Sequence, residues 1–482
     1  MIPLILVVLL VSFNSCSAQN AAADEITNLP GVSFNTNFKQ YSGYLNANPQ
    51  GTWKLHYWLV ESQGNAATDP LILWLNGGPG CSSVGGMFEE LGPFYPERDG
   101  NSLYENVFSW NKVANVLFLE SPIGVGFSYD TSNASNVKTN DDIVASENYL
   151  ALLDFFTNVQ PAYANKTFYI AGESYAGIYL PTLAQQLVKG INNGSFPNKN
   201  FQVYQTLTDQ SPPWPANQDP YNFYQDCYDP LPTTSTSSPM INFIKGHPNI
   251  AATNPHGTAS ILWHDSTDSQ RGNPCWSEDA VTIYLNKPEV QAALHINSSW
   301  QSTVGQWNDC SDPIYNSYTV IYTDTTSFFQ YVINNVKIPN FRILVYNGDV
   351  DTICDYLGDS WYIRDLAISL NMTSKPRTRW SFRNQIAGYV QRYTANTSVT
   401  VDVLTVKGAG HFVPNDRPGP ALQMIANFIG NVANYSTATG IDVTPQGPPS
   451  SGSTTTAPSG ARVINSSFLL VAISAVLLKK LF

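Results

Sequence analysis

The stretch "FYIAGESYAGIYLP", Phe168 to Pro181, runs from an apolar segment through a glycine-flanked turn into a helical pattern. Thr167 to Ala171 reads as a strand. "YAGIYLPTLAQQLVKG" then places Leu180, Leu183, Ala184, Leu187 and Val188 on one face, with a helix end expected at Gly190. Ser174 lies in the turn between Gly172 and Gly177, so strand, sharp turn and helix have the form of a nucleophile elbow. Glycines suit such a turn because a side chain there would collide with neighbouring backbone. A serine between glycines is common by itself, so the rest of the chain has to decide.

Working outward, "LILWLNGG", "VANVLFLESP" and "FRILVYNGD" are apolar runs ended by turn residues, as strands buried on both faces require. "TVDVLTVKGAGH" alternates before its glycine turn, and "DDIVASENYLALLDFFTNV" has helical spacing with Asp141 or Asp142 as its cap. Alternating strands and helices predict an α/β fold with a mainly parallel central sheet. Residues 192–336 break the rhythm with Pro, Asn, Asp, Ser and Tyr, and are expected to form an irregular insertion holding Cys227, Cys275 and Cys310.

An elbow serine needs a base and an orienting carboxylate later in the chain, in the order Ser, Asp, His. "FRILVYNGDVDTIC" ends a strand with Asp349 and Asp351, and "VLTVKGAGHFVP" ends another with His411. The pattern leaves the two aspartates tied, since either could reach an imidazole and one could instead cap the next helix. Of the other histidines, His56 and His295 lie in apolar surroundings, and His247, His256 and His264 fall in the irregular region. Upstream, "WLNGGPGCSS" offers glycine N–H groups which, with that of Tyr175, could meet the oxyanion of an acyl-transfer intermediate.

The formal charge of −12, with pI near 4.9 and 12% charged residues, provides no basic stripe for phosphates and excludes nucleic acid as a partner. "MIPLILVVLLVSFNSCSA", residues 1–18, reads as a secretory signal peptide. Its removal leaves Cys81, Cys227, Cys275, Cys310 and Cys354, an odd number that predicts two bridges and a free thiol in an oxidising compartment. Sequons at Asn133, Asn165, Asn193, Asn297, Asn371, Asn396, Asn434 and Asn465 agree with passage through the secretory route. Residues 437–467 read as a Ser/Thr/Pro-rich stalk, and 468–482 as an apolar tail suited to GPI attachment or to membrane retention ending in "KKLF".

Together, "WLNGGPGCSS", "ESPIGVGFSY", "GESYAGIYLP", "YNGDVDTICDYLGD" and "GAGHFVPNDRP" closely resemble the serine carboxypeptidase family, in particular its lysosomal cathepsin A group. The resemblance implies an α/β-hydrolase fold: a first core part over 19–191, a reduced cap over 192–336 and a second core part over 337–436. It implies Ser174 as nucleophile, Asp351 and His411 as its partners, and the N–H groups of Gly78 and Tyr175 as oxyanion donors. Asn76, Gly77, Glu90 and Glu173 match positions that bind the free carboxylate of a peptide's last residue. Two carboxyl groups sharing a proton would favour that anion at acidic pH. The family pattern also pairs Cys81 with Cys310 and Cys227 with Cys275, leaving Cys354 free, and implies neither metal nor organic cofactor. The expected partner is thus a peptide or protein C-terminus, met in a lysosomal or extracellular compartment.

The chain departs from the family after Gly190, where a further apolar strand, its G-N-G turn and most of the cap are missing. "FQVYQTL", Phe201 to Leu207, is the only replacement for that strand, and its glutamines make it a poor central one. An inactive binding or protective protein, and an acyltransferase, are therefore weighed beside the peptidase.

Overall fold

The computed structural model describes residues 22–97, 99–132, 138–203, 221–222 and 278–448. The signal segment, the Cys227–Cys275 pair, sequons Asn133 and Asn465, the tail, and His247, His256 and His264 lie outside those residues.

The central strands are β1 (Gln40–Asn46), β2 (Trp53–Val60), β3 (Leu71–Leu75), β4 (Asn115–Leu119), β5 (Phe168–Gly172) and β6 (Phe201–Val203). They lie in the order β1-β2-β4-β3-β5-β6, parallel from β4 through β6 and antiparallel at the β1 and β2 edge. β3, β4 and β5 are buried at every position, which explains their unbroken apolar reading. A second sheet carries β7 (Arg342–Gly348), β8 (Gln385–Thr394) and β9 (Thr400–Val406), with β7 parallel to β9 and β8 antiparallel to it.

Three residues of the doubtful "FQVYQTL" stretch fill the slot beside the serine strand. Phe168, Tyr169 and Ile170 of β5 pair with Phe201, Gln202 and Val203 of β6. A side chain then crosses to the next strand: the Arg342 N–H of β7 donates to Gln202 Oε1 at 3.0 Å. The ring of Phe201 meets Phe341 at 5.6 Å, so the seam between the sheets is packed as well as bonded. The glutamine that weakens this strand in sequence terms is what ties it to β7.

Helix α1 (Asp141–Asp154) precedes β5, and α2 (Ala176–Asn193) follows the elbow. The cap of α1 is Asn140, whose Oδ1 accepts the Ile143 N–H at 3.0 Å, and not Asp141 or Asp142. Asp141 is instead buried, accepting from Tyr175 Oη, Tyr318 Oη and the N–H groups of Ile321 and Tyr322. Helix α2 continues past Gly190 because the left-handed residue that ends it is Gly194, at φ +82°. The insertion is less irregular than its composition predicts. Its part described from Glu278 on forms short helices ending in α3 (Thr326–Asn335). After β7 come α4 (Tyr356–Ser369) and, beyond β9, α5 (Pro418–Ile429).

The start of the predicted stalk also belongs to the core. Ile441 and Val443 pack against it, the Asn35 N–H donates to Gly447 O at 2.8 Å, and the Gln446 N–H donates to Glu105 Oε2 at 2.6 Å. His56 and His295 correct their apolar reading. His56 is buried between Ser42 Oγ at 2.8 Å and Glu120 Oε2 at 2.9 Å, whereas His295 is exposed.

Candidate active site

Ser174 stands between β5 and α2 with φ +56°, a left-handed conformation that a non-glycine residue adopts only when its surroundings enforce it. Enforcement comes from β3. A Cβ at Gly172 would fall on the Leu75 carbonyl oxygen and close on Ala176 Cβ, so only glycine lets the strand turn this tightly. Two residues after the serine the chain has Ala176, small enough to sit against Gly172.

The loop after β3 lies directly over the elbow. A Cβ on Gly77 would strike the Tyr175 nitrogen and lie 2.9 Å from Ser174 Cβ. Gly78 follows at φ +109° and Gly80 at φ +105°, conformations that open the loop. Among the described residues neither the Gly78 nor the Tyr175 N–H donates to a protein acceptor, so both are available beside Ser174. The loop is pinned from behind by the Cys81–Cys310 disulfide and by the Ser82 N–H donating to Asp309 O at 2.6 Å.

At the end of β9, His411 Nδ1 stands 2.8 Å from Asp351 Oδ2, an N–H donating to a carboxylate. Asp351 Oδ1 accepts the N–H groups of Ile353 at 2.8 Å and Cys354 at 3.2 Å, which fixes the carboxylate. Asp349 turns the other way and accepts the Gly408 N–H at 2.6 Å. The helix after this turn is capped by a third aspartate, Asp355. Asp351, His411, Ser174, Glu173 and the buried free thiol Cys354 line a cavity of about 10 Å³. Among the described residues the Ser174 hydroxyl makes no hydrogen bond, so the contact with His411 is not closed in the free protein. Burial disfavours charge on His411, but the charge and hydrogen bond of Asp351, with Glu90 and Asp416 behind, outweigh it and raise its pKa.

Behind the serine are two carboxyl groups. Asn76 Nδ2 donates to Glu90 Oε1 at 2.9 Å and reaches Glu173 Oε1 at 3.4 Å. Asn76 itself is held by Trp74 Nε1, 2.6 Å from its Oδ1, and by Ser83 Oγ, which accepts its N–H at 3.1 Å. Glu90 sits on a π-helical turn, Met87–Leu91, that turns it inward. Both glutamates are nearly inaccessible, at 2% and 3% exposure, and among the described residues no donor group reaches the Oε2 atom of either. Burial raises both pKa values. For Glu173 the charges of Glu90 and then Asp351 add to it, while for Glu90 hydrogen bonds from Glu173 and Asn76 pull partly the other way.

Two supports of this site carry no signal in the sequence reading. The Tyr221 carbonyl accepts the His411 N–H at 2.7 Å and its ring meets the imidazole edge-on at 4.9 Å, so a piece of the reduced cap holds the histidine turn. Asp416 accepts the Gly410 N–H at 2.6 Å and Asn222 Nδ2 at 3.0 Å, bracing the same turn. It lies within the quoted "GAGHFVPNDRP", but only its contacts distinguish it from a surface acid.

A parallel-centred sheet, a strained serine at an elbow and a His–Asp pair on later strands define an α/β-hydrolase. The profile of the family described as "Serine carboxypeptidase" matches residues 30–211 and 202–431. Serine carboxypeptidase ctsa-3.1 of Caenorhabditis elegans is 43% identical over 84% of this chain and 88% of its own length. The lysosomal protective protein of Mus musculus is 34% identical over 89% of this chain and 98% of its own length. The chain belongs to the serine carboxypeptidase family. The fold also matches the crystal structure of a prohormone-processing carboxypeptidase from Saccharomyces cerevisiae, at TM-score 0.58 and 20% identity, over 86% of this chain and 96% of that one. The 509 positions aligned with the C. elegans protein occupy 84% of this 482-residue chain, so roughly a fifth of them have no residue here. Residues 202–211 are claimed by both profile matches, which puts the break just after β6.

Proposed function

We propose that this chain is a serine-type carboxypeptidase that releases the last residue of peptides at acidic pH. The observation that carries this reading is the pair of buried, Asn76-linked glutamates beside a strained serine and a 2.8 Å His–Asp contact. In this mechanism the terminal carboxylate of the peptide binds Asn76, the Gly77 N–H and the shared proton of Glu90 and Glu173. That anchors the scissile carbonyl over Ser174 with its oxygen toward the N–H groups of Gly78 and Tyr175. Ser174 Oγ attacks, and His411 Nε2 takes its proton and passes it to the leaving amine. Asp351 holds Nδ1–H and stabilises the imidazolium. Water then attacks the acyl-enzyme, with His411 acting as base again. Only a substrate with a free carboxylate satisfies the glutamate pair, which makes the activity an exopeptidase one.

The six described sequon asparagines, Asn165, Asn193, Asn297, Asn371, Asn396 and Asn434, are all exposed, and Cys81 is bridged to Cys310. Both facts support maturation in the secretory route, which fits a lysosomal or extracellular destination. Among the described residues no helix is long and apolar enough to cross a membrane.

The experiment is hydrolysis of N-blocked dipeptides at acidic pH, with Ser174→Ala as control. The missing aligned positions favour a second reading, a non-catalytic binding protein on the same scaffold. Release of amino acid by the wild type alone supports the peptidase, while equal release by both proteins supports the alternative. Product appearing only on an added acceptor would point to acyl transfer.

A further inference from the structure

Ser174, Gly78 and Tyr175 also open into a second cavity, of about 520 Å³. Asn76, Glu90 and Glu173 do not line it, so it is a space distinct from the glutamate pair, reached from the same serine. If the leaving residue is anchored at that pair, the side chain on the acyl half of the scissile bond enters this cavity. The next deduction rests on that reading.

Much of its wall is apolar, formed by Ile178, Val320, Ile353 and the rings of Tyr322 and Tyr362. Two carboxylates also line it. Asp359, 2% exposed, accepts Asn347 Nδ2 at 2.6 Å, and Asp324 is exposed, its Oδ1 taking the N–H and hydroxyl of Thr326. Both act on the same wall residue. Burial is the main cause that pushes Tyr362 up to about 12, and the charges of Asp324 and Asp359 add to it. Among the described residues no Lys, Arg or His lines the cavity.

A side chain that fits must have a long aliphatic stem and a positive end. Lysine and arginine have that form, with stems that lie along apolar surface while the head reaches polar partners. The tyrosine rings can accept the same head through their faces. We propose that the chain selects substrates whose penultimate residue is lysine or arginine, with Asp324 as the specificity-determining residue.

The test compares kcat/KM for benzyloxycarbonyl dipeptides with C-terminal Phe and Lys, Arg, norleucine or Glu before it. Norleucine supplies the lysine stem without the charge. Lys and Arg should exceed norleucine by about threefold or more at low salt, and Glu should be poorest. The advantage should shrink at 0.5 M salt, by the screening expected of an exposed pair, and in Asp324→Asn the Lys/norleucine ratio should fall toward one. Asp324 is exposed, so this variant threatens folding little, and the salt series on the wild type needs no variant. Norleucine equal to or better than lysine, or a ratio indifferent to both salt and Asp324→Asn, overturns the assignment while leaving the peptidase standing. No cleavage above the Ser174→Ala control for any of the peptides removes the peptidase reading and this inference with it.

Discussion

In the proposed mechanism, replacing both Glu90 and Glu173 with glutamine removes the titrating groups assigned to the substrate's carboxylate while leaving an amide donor at each place. In the wild type both groups have raised pKa values, so at acidic pH the pair holds a proton that can bond the incoming anion. As pH rises through those values the proton leaves, and a buried anion faces the anionic substrate. Binding one proton together with the carboxylate makes KM rise tenfold for each pH unit above the pair's pKa, equivalent to about 1.36 kcal/mol per unit. The rise should level off near a hundredfold, because a hydrogen bond to a charged group contributes roughly 1.5–3 kcal/mol. His411 acts in the opposite sense. With its pKa raised, it loses its basic form as pH falls, so kcat/KM on peptides should be bell-shaped. Blocked amino-acid esters carry no free carboxylate and should show the histidine limb alone. The assay is KM for a blocked dipeptide and for such an ester from pH 4.5 to 8, in wild type and in the double glutamine variant. A wild-type KM that stays flat, or an ester KM that climbs in step with the peptide's, would refute the reasoning.

The tie between the two aspartates separates sharply in kinetics. Asp351→Asn should lower kcat by roughly 10⁴-fold through the wrong imidazole tautomer. Asp349→Asn, whose amide oxygen can still accept the Gly408 N–H, should stay within a few-fold in kcat and cost no more than about 1 kcal/mol of stability. Glu147 is fully buried, with one oxygen lacking a partner among the described residues, and burial pushes it up to about 8 from 4.5. Its folded pKa lies above its unfolded one, so its contribution is fully present below about pH 4.5 and lost as pH rises toward 8. Melting temperature should therefore fall across that window, and Glu147→Gln should flatten the fall, corresponding to a few kcal/mol. Cys310→Ser should free the loop that carries Gly77 and Gly78, lowering kcat more than it raises KM for esters, as measured by initial rates.

Sequence pattern discloses most where chemistry constrains the backbone. Ser174 and His411 were legible because each sits on a glycine-flanked turn after an apolar strand, a placement that core residues seldom need. Asp351 was legible only through family resemblance, since two aspartates on one turn look alike until one is seen to face Gly408 and the other the imidazole. Asn140 displaced the expected caps because Asp141 was committed to four donors from distant segments, which no local pattern reveals. β6 was only half legible: the sequence offered Phe201 to Leu207 as the substitute strand, but Gln202 looks wrong for a central one until the Arg342 N–H is placed beside it. Tyr221 holds His411 through its carbonyl, and a backbone contact leaves no mark on composition.

The most direct measurement is covalent labelling of the purified protein with a fluorophosphonate, followed by peptide mass spectrometry. If the β5–β6–β7 seam holds the elbow and the His–Asp pair in register, one equivalent of label should appear on Ser174, and His411→Ala should abolish it. A folded wild-type protein that leaves Ser174 unmodified, or labelling that persists undiminished without His411, contradicts that arrangement.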